Sequence, residues 1–128
     1  MAESVQARPA VLLVEDEAQL VSLLRDQLDA DYEIEVAGTV DEALLLLGTR
    51  RFAAIVSDHL LPGKEQGLDF LVEALRRQPE AKRILVTGYM NPELLARAVP
   101  LAELSACLMK PVGGAQLRQV LADVIARG

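Results

Sequence analysis

Short apolar runs separated by segments of helical periodicity constrain this chain more than any other feature of it. "AVLLV" (Ala10 to Val14) reads as a buried strand, and Leu20, Val21, Leu23, Leu24 and Leu28 follow at helical spacing. "EIEVA" (Glu33 to Ala37) alternates instead, the pattern of an edge strand with one wetter face. Thr39 with Glu42 three residues later is a capping box, opening a helix through Leu44 to Leu47. Phe52 to Val56 reads as a third strand, "LDFLVEAL" (Leu68 to Leu75) as a third helix stopped before Pro79, and "RILVT" (Arg83 to Thr87) as a fourth strand. Asn91-Pro92-Glu93 supplies an N-cap, a proline at the first helical position and a first-turn acid. That fourth helix is expected to end by Pro100. "ACLM" (Ala106 to Met109) is a fifth strand, and Leu117, Val120, Leu121, Val124 and Ile125 stripe a closing helix. Strands apolar on both faces need cover on both sides. The expected architecture is therefore α/β: a doubly wound, five-stranded parallel sheet with five helices.

Composition narrows the class. A chain of 128 residues makes one domain, able to bury about two thirds of its unfolded surface. Apolar residues are 52% and aromatics 3%, so the core is aliphatic. No apolar run exceeds five residues, far short of a bilayer span, and "MAESVQARPA" has no hydrophobic signal region. No membrane partner is expected. One cysteine cannot form an internal disulfide and suits a reducing compartment, so a cytoplasmic location is expected. The net charge of -6 argues against nucleic-acid binding, which needs clustered Lys and Arg. Residues 1–8 read as a flexible segment ahead of a domain over 9–128.

In open parallel sheets, ligands bind beyond the carboxyl ends of the strands, where the strand order reverses. Glu15, Asp16 and Glu17 follow the first strand, Asp58 the third, Thr87 closes the fourth, and Lys110-Pro111 follows the fifth. Each has an ordinary structural explanation. The acids favour a helix N-terminus, Asp58 begins a turn toward Pro62-Gly63, Thr87 is a strand threonine, and Lys110 is a surface charge. Taken together, carboxylates, a hydroxyl and an ammonium at one sheet edge are poorly explained that way.

On these residues the chain resembles the receiver domains of two-component response regulators, the CheY-like phosphoacceptor family. The acidic pair in "LLVEDE", Asp58 and Pro62 in "SDHLLPG", Thr87-Gly88 in "LVTGY" and Lys110-Pro111 in "LMKP" carry the likeness, which runs from about Pro9 to the C-terminus. The resemblance implies the flavodoxin-like strand order 2-1-3-4-5. It also implies that Asp58 accepts a phosphoryl group from a sensor histidine kinase or phosphotransfer protein. Mg²⁺, an oxygen-seeking cation, would be held by Glu15, Asp16, Asp58 and the backbone carbonyl of Leu60. Lys110 would pair with Asp58 at rest and with a phosphoryl oxygen afterwards, and Thr87 would turn toward that group. Gly88, Tyr89, Cys107 and Pro111 would support the site, the Lys110-Pro111 bond being cis as is usual in the family. Apart from its own phosphorylation and dephosphorylation, no catalysis is implied. The switched surface would be the face of helix four, strand five and helix five, which would also serve an effector domain, a downstream protein or a homodimer.

Three departures follow from the same comparison. The position three residues before the lysine, usually aromatic in the family, is Cys107, which cannot swing as an aromatic switch does and makes Tyr89 a candidate replacement. The loop after Pro62 ("GKEQG") is one residue longer. Leu60 and Tyr89 occupy positions flanking the phosphoryl group, where large apolar side chains should hinder an attacking water and slow dephosphorylation. His59 reads as a solvent-exposed loop residue, and Cys107 as a small buried hydrophobe. Other readings fare worse. A flavodoxin-like cofactor binder would need a phosphate loop where this chain is acidic, and a haloacid-dehalogenase-type phosphatase would need a second Asp where Leu60 stands. A receiver-like interaction module that is never phosphorylated remains the rival. The chain closes at "VLADVIARG", consistent with a stand-alone receiver or one cut from a longer protein, and "TGY" with "DHLLPG" resembles receivers attached to signalling enzymes.

Overall fold

The computed structural model describes residues 8–61, 66–88 and 92–127, the side chain of residue 94 excepted. Among these, five strands alternate with five helices: β1 (Ala10–Val14), α1 (Ala18–Leu28), β2 (Glu33–Ala37), α2 (Val40–Leu47), β3 (Ala54–Asp58), α3 (Gly67–Arg77), β4 (Lys82–Thr87), α4 (Pro92–Ala102), β5 (Ala106–Met109) and α5 (Gly114–Ala126). All pairings are parallel, and the order is β2-β1-β3-β4-β5, as expected. The chain therefore reverses direction across the sheet between β1 and β3, which leaves a crevice at their carboxyl ends.

Alternation along each strand divides the core. Leu12 and Val14 of β1 point to one face, packing with Val40, Ala43 and Leu47 of α2, Phe70 and Leu71 of α3, and Ala98 and Ala102 of α4. Val11 and Leu13 point to the other, against Leu24 and Leu28 of α1 and Leu117, Leu121 and Val124 of α5. β2 is at an edge and only partly buried, which explains the acids alternating within it.

Three local expectations need correction. β3 begins at Ala54 and includes Ser57 and Asp58, because register with β4 pairs Ala54 with Lys82 through to Asp58 with Val86. Phe52 is buried ahead of the strand, its N–H donated at 2.9 Å to Oε1 of Gln78 rather than to a neighbouring strand. β4 starts one residue early, at Lys82. α4 does not end by Pro100 but carries it internally to Ala102. Only two residues of the helix remain beyond it, so little of the helix ladder is lost. There the helix stops: Glu103 takes a left-handed φ of 46°, and the N–H of Leu104 donates to the carbonyl of Val99 at 3.2 Å.

The capping box at α2 forms with a variation. Thr39 Oγ1 accepts the Glu42 N–H at 3.1 Å, while Glu42 Oε1 accepts from Gly38, one residue earlier than the usual partner. The expected cap Asn91 lies outside the described residues, as do Tyr89, Pro62 and most of the flexible segment. Of that segment Arg8 is described, and its guanidinium donates to the Asp29 carbonyl. No helix among the described residues is long and apolar enough to cross a membrane.

Candidate functional site

The ends of β1, β3, β4 and β5 converge on one cluster. Asp58 is the last residue of β3, and its Oδ2 lies 2.7 Å from Lys110 Nζ, just beyond β5. The same ammonium lies 3.4 Å from Oε1 of Glu15. Lys110 is held from the backbone: its N–H donates at 2.8 Å to the carbonyl of Thr87, and the Lys110-Pro111 peptide is cis. Thr87 closes β4 and is buried. Glu15 is fixed by an N–H bond to the carbonyl of Ala37 on the next strand, and its Oε2 accepts the N–H of Glu17 at 3.1 Å. Asp58 Oδ1 accepts the N–H of Leu60 at 3.4 Å.

Asp58 is largely covered although it stands at the mouth of the crevice: 6% of its surface is accessible, and Glu15 is equally covered. Its position as the end of a central strand, with Lys110 laid across it, accounts for the burial. Access runs through a cleft of about 630 Å³ lined by Glu15, Asp58, Gly88, Lys110, Val112 and Leu20 among others.

The electrostatics follow from burial and crowding. Desolvation pushes the Glu15 carboxyl above its ordinary value, aided by the nearby Asp58 charge and opposed by the Glu17 N–H and by Lys110. Desolvation pulls the Lys110 ammonium down, but its hydrogen bond to Asp58 and the attraction of Asp58 and Glu15 outweigh that, leaving it raised. Lys110 is thus fully charged at neutral pH. Glu15, Asp16 and Asp58 each offer one carboxylate oxygen, all within 4.8 Å of one another, with Asp16 exposed. Three acids so close repel, and one ammonium compensates only part of that. Hard oxygen donors with one exposed side suit a small divalent cation that keeps several waters, as Mg²⁺ does.

Of the expected site residues, Glu15, Asp16, Asp58, Thr87 and Lys110 come together. Gly88 lines the cleft with Pro111. Leu60 contributes its N–H to Asp58, while its side chain is 67% exposed. Cys107 is half-buried on edge strand β5 rather than fully buried, packed against the core under α3 and α4, and desolvation raises its thiol. His59 is also half-buried, not a solvent-exposed loop residue: its N–H donates to Val86 at 2.8 Å. Its Nδ1 is buried without a partner among the described residues.

One positioning residue escaped sequence reasoning. Gly67, the first residue of α3, donates its N–H to the His59 carbonyl at 2.8 Å. A β-carbon there would lie 1.9 Å from the carbonyl oxygen of Asp58. The only signal was a glycine opening a helix, which turn chemistry also explains.

Comparisons with known proteins agree with this geometry. The chain is 34% identical over 101 residues to the hydrogenase transcriptional regulatory protein HoxA of Cupriavidus necator, covering 79% of this chain and 21% of that protein. It is 29% identical over 125 residues to a protein-glutamate methylesterase/protein-glutamine glutaminase of Caulobacter vibrioides, covering 94% and 36%. This chain thus spans between a fifth and just over a third of these relatives. Among solved structures, the signal receiver domain of an HD domain-containing protein from Pseudomonas fluorescens Pf-5 superposes with a TM-score of 0.86 at 28% identity, covering 96% of this chain and 90% of that one. A CheY-like response regulator receiver domain protein from Methanospirillum hungatei gives 0.82 at 28%, covering 95% and 100%. The family model for the response regulator receiver domain matches residues 11–122. The chain therefore belongs to the response regulator receiver domain family of two-component signalling.

Proposed function

We propose that Asp58 accepts a phosphoryl group from the phosphohistidine of a sensor kinase or phosphotransfer protein, and that residues 9–128 act as the receiver. The observation that carries the reading is the Lys110–Asp58 pair at 2.7 Å, set against the carboxylates of Glu15 and Asp16. Receiver domains bind Mg²⁺ at an acidic cluster, and Glu15, Asp16, Asp58 and the Leu60 carbonyl would hold it here. When bound, the cation neutralises charge on the transferring oxygens. An Asp58 carboxylate oxygen forms a new P–O bond as the donor's P–N bond breaks, and the departing ring nitrogen takes up a proton from water. Lys110 supplies a compact positive charge to the equatorial oxygens, and Thr87 offers its hydroxyl to the same group. Exposed Leu60 stands where water would approach the phosphoryl group, so a Leu60→Asn variant should lose its phosphoryl group several-fold faster than wild type. An equal lifetime would count against that role.

Phosphorylation brings about -1.5 to -2 charges into a nearly buried site, enough to shift a population between two packings. Val99 and Leu101 on α4 and Met109 on β5 are exposed apolar residues, suited to a homodimer, an effector domain or a downstream protein. Receivers act by such contacts with kinases and effectors. The rival reading, a module that works without phosphorylation, rests on Cys107, which cannot swing as an aromatic does.

Intact-mass analysis after incubation with acetyl phosphate and Mg²⁺ tests the proposal. The expected result is one added phosphoryl group in wild type, absent from Asp58→Asn and lost with a chelator. No adduct together with no Mg²⁺ binding would establish the phosphorylation-independent module. No adduct despite Mg²⁺ binding would point to a strict requirement for the partner kinase.

A further inference from the structure

The Asp58 site does not use Arg83, the most deeply buried cation among the described residues. It lies near the start of β4 with 5% of its surface exposed. Among the described residues no acidic side chain hydrogen-bonds to it, although the Glu103 charge attracts it from nearby. Its guanidinium instead donates to backbone carbonyls: Nε to Ala102 at 2.7 Å, Nη2 to Glu103 at 3.3 Å, and Nη1 to Ala81 and to Pro79. Ala102 and Glu103 are the C-terminal end of α4, where aligned peptide dipoles leave partial negative charge. The main chain of Arg83 grips the same region, its carbonyl accepting the N–H of Ser105 at 2.8 Å. Glu103 has a left-handed φ of 46° without being glycine, a conformation that persists only when its surroundings hold it.

The two ends of α4 differ in kind. The C-terminal end is clamped to β4 and seated on buried Ala98 and Ala102. Two residues ahead of Ala102, Pro100 has no N–H to give the carbonyl of Ala96, so one helix bond is missing just before the clamp. The N-terminal end follows the end of β4. Arg83, Leu85 and Thr87 alternate along that strand and so share the face beneath α3 and α4.

We propose that Arg83 is the fixed pivot of α4: it holds the helix's C-terminal carbonyls on β4 while the N-terminal end tilts when the site at Asp58 is occupied. Arg83 is thus a positioning residue, and Thr87, four residues along the same strand, marks the moving end. This rests on the phosphoryl-acceptor reading above, and the test separates the two.

Amide hydrogen exchange along α4 is measured by mass spectrometry on the whole chain, with and without Mg²⁺ and beryllofluoride, a mimic of the aspartyl phosphate. In wild type, exchange in the first two turns should change about tenfold, while residues 101–105 stay within about twofold. Arg83→Lys and Arg83→Gln should raise exchange at 101–105 about tenfold before any ligand is added. Both ends should then respond together. A wild type whose residues 101–105 respond as strongly as the first two turns would overturn the pivot, and so would variants whose α4 behaves as wild type. Protection around Asp58 and Lys110 with a silent α4 would sink the pivot alone. Absence of any protection at Asp58 would sink the phosphoryl-acceptor reading, and the pivot would lose its trigger with it.

Discussion

Replacing Gly67 with alanine tests how closely the scaffold holds Asp58. The added carbon would stand 1.9 Å from the Asp58 carbonyl oxygen, 2.8 Å from its carbonyl carbon and 2.9 Å from the His59 Cα, where ordinary contact begins at 3.4 Å. Every one of these atoms is backbone, so no side chain can swing aside. Either α3 withdraws or the end of β3 yields, by about 1.5 Å between them. Overpacking of this kind costs roughly 1–3 kcal/mol. Alanine's better helix propensity returns up to about 1 kcal/mol of that. The net loss of about 1–2 kcal/mol corresponds to a fall in Tm of roughly 3–8 °C for a domain of this size. The functional cost is larger, because displacing a reacting group by about 1 Å can cost about a hundredfold in rate. Thermal unfolding and acetyl phosphate uptake, read by intact mass, measure the two effects separately. A Gly67→Ala protein with an unchanged Tm and unchanged uptake would refute the reasoning.

Lys110→Met removes the ammonium that compensates Glu15 and Asp58, so calorimetric titration should show tighter Mg²⁺ binding. Phosphoryl uptake should nevertheless slow by about a hundredfold, since the charge aimed at the phosphoryl oxygens is lost. Gln78 is buried and ties three backbone groups, donating to Leu47 at 3.0 Å and Arg50 at 2.8 Å and accepting from Phe52 at 2.9 Å. Gln78→Leu should therefore destabilise by about 3 kcal/mol, read as a lower urea midpoint, without altering phosphoryl uptake. Hydrogen bonds from Arg76 and Arg77 lower the Glu73 carboxyl to about 2. A lowered folded value adds stability above the unfolded value of 4.5 and loses it as pH falls toward 2. Glu73→Gln should thus be slightly less stable than wild type at pH 7 and indistinguishable from it at pH 2, compared by urea midpoint. The pair is exposed, so high salt should shrink the difference.

Elements with a strong period were legible because one-dimensional pattern reports burial directly. β1 and β5 begin and end where their apolar runs do, β2 spans its alternating stretch, and α2 opens at Thr39 because its cap is written locally. β3 was displaced because Phe52 is as apolar as a strand residue. Only register with β4 shows that the ladder runs through Ser57 and Asp58. α4 outran Pro100 because proline forbids an N–H bond but tolerates the last turn when the end is secured from elsewhere, here by Arg83.

The α/β alternation and the residue types at the strand ends, and through them the family, are written in the linear chain. These depend on side-chain chemistry and local periodicity, which a linear chain displays in full. How those residues meet depends on the folded arrangement of whole elements. Burial of Asp58, the sharing of Lys110 between Asp58 and Glu15, the closeness of Gly67 to the Asp58 carbonyl and the grip of Arg83 on α4 all join residues from separate elements. Such contacts arise from strand register and helix docking, which minimise free energy over the whole core and leave no trace in any one segment.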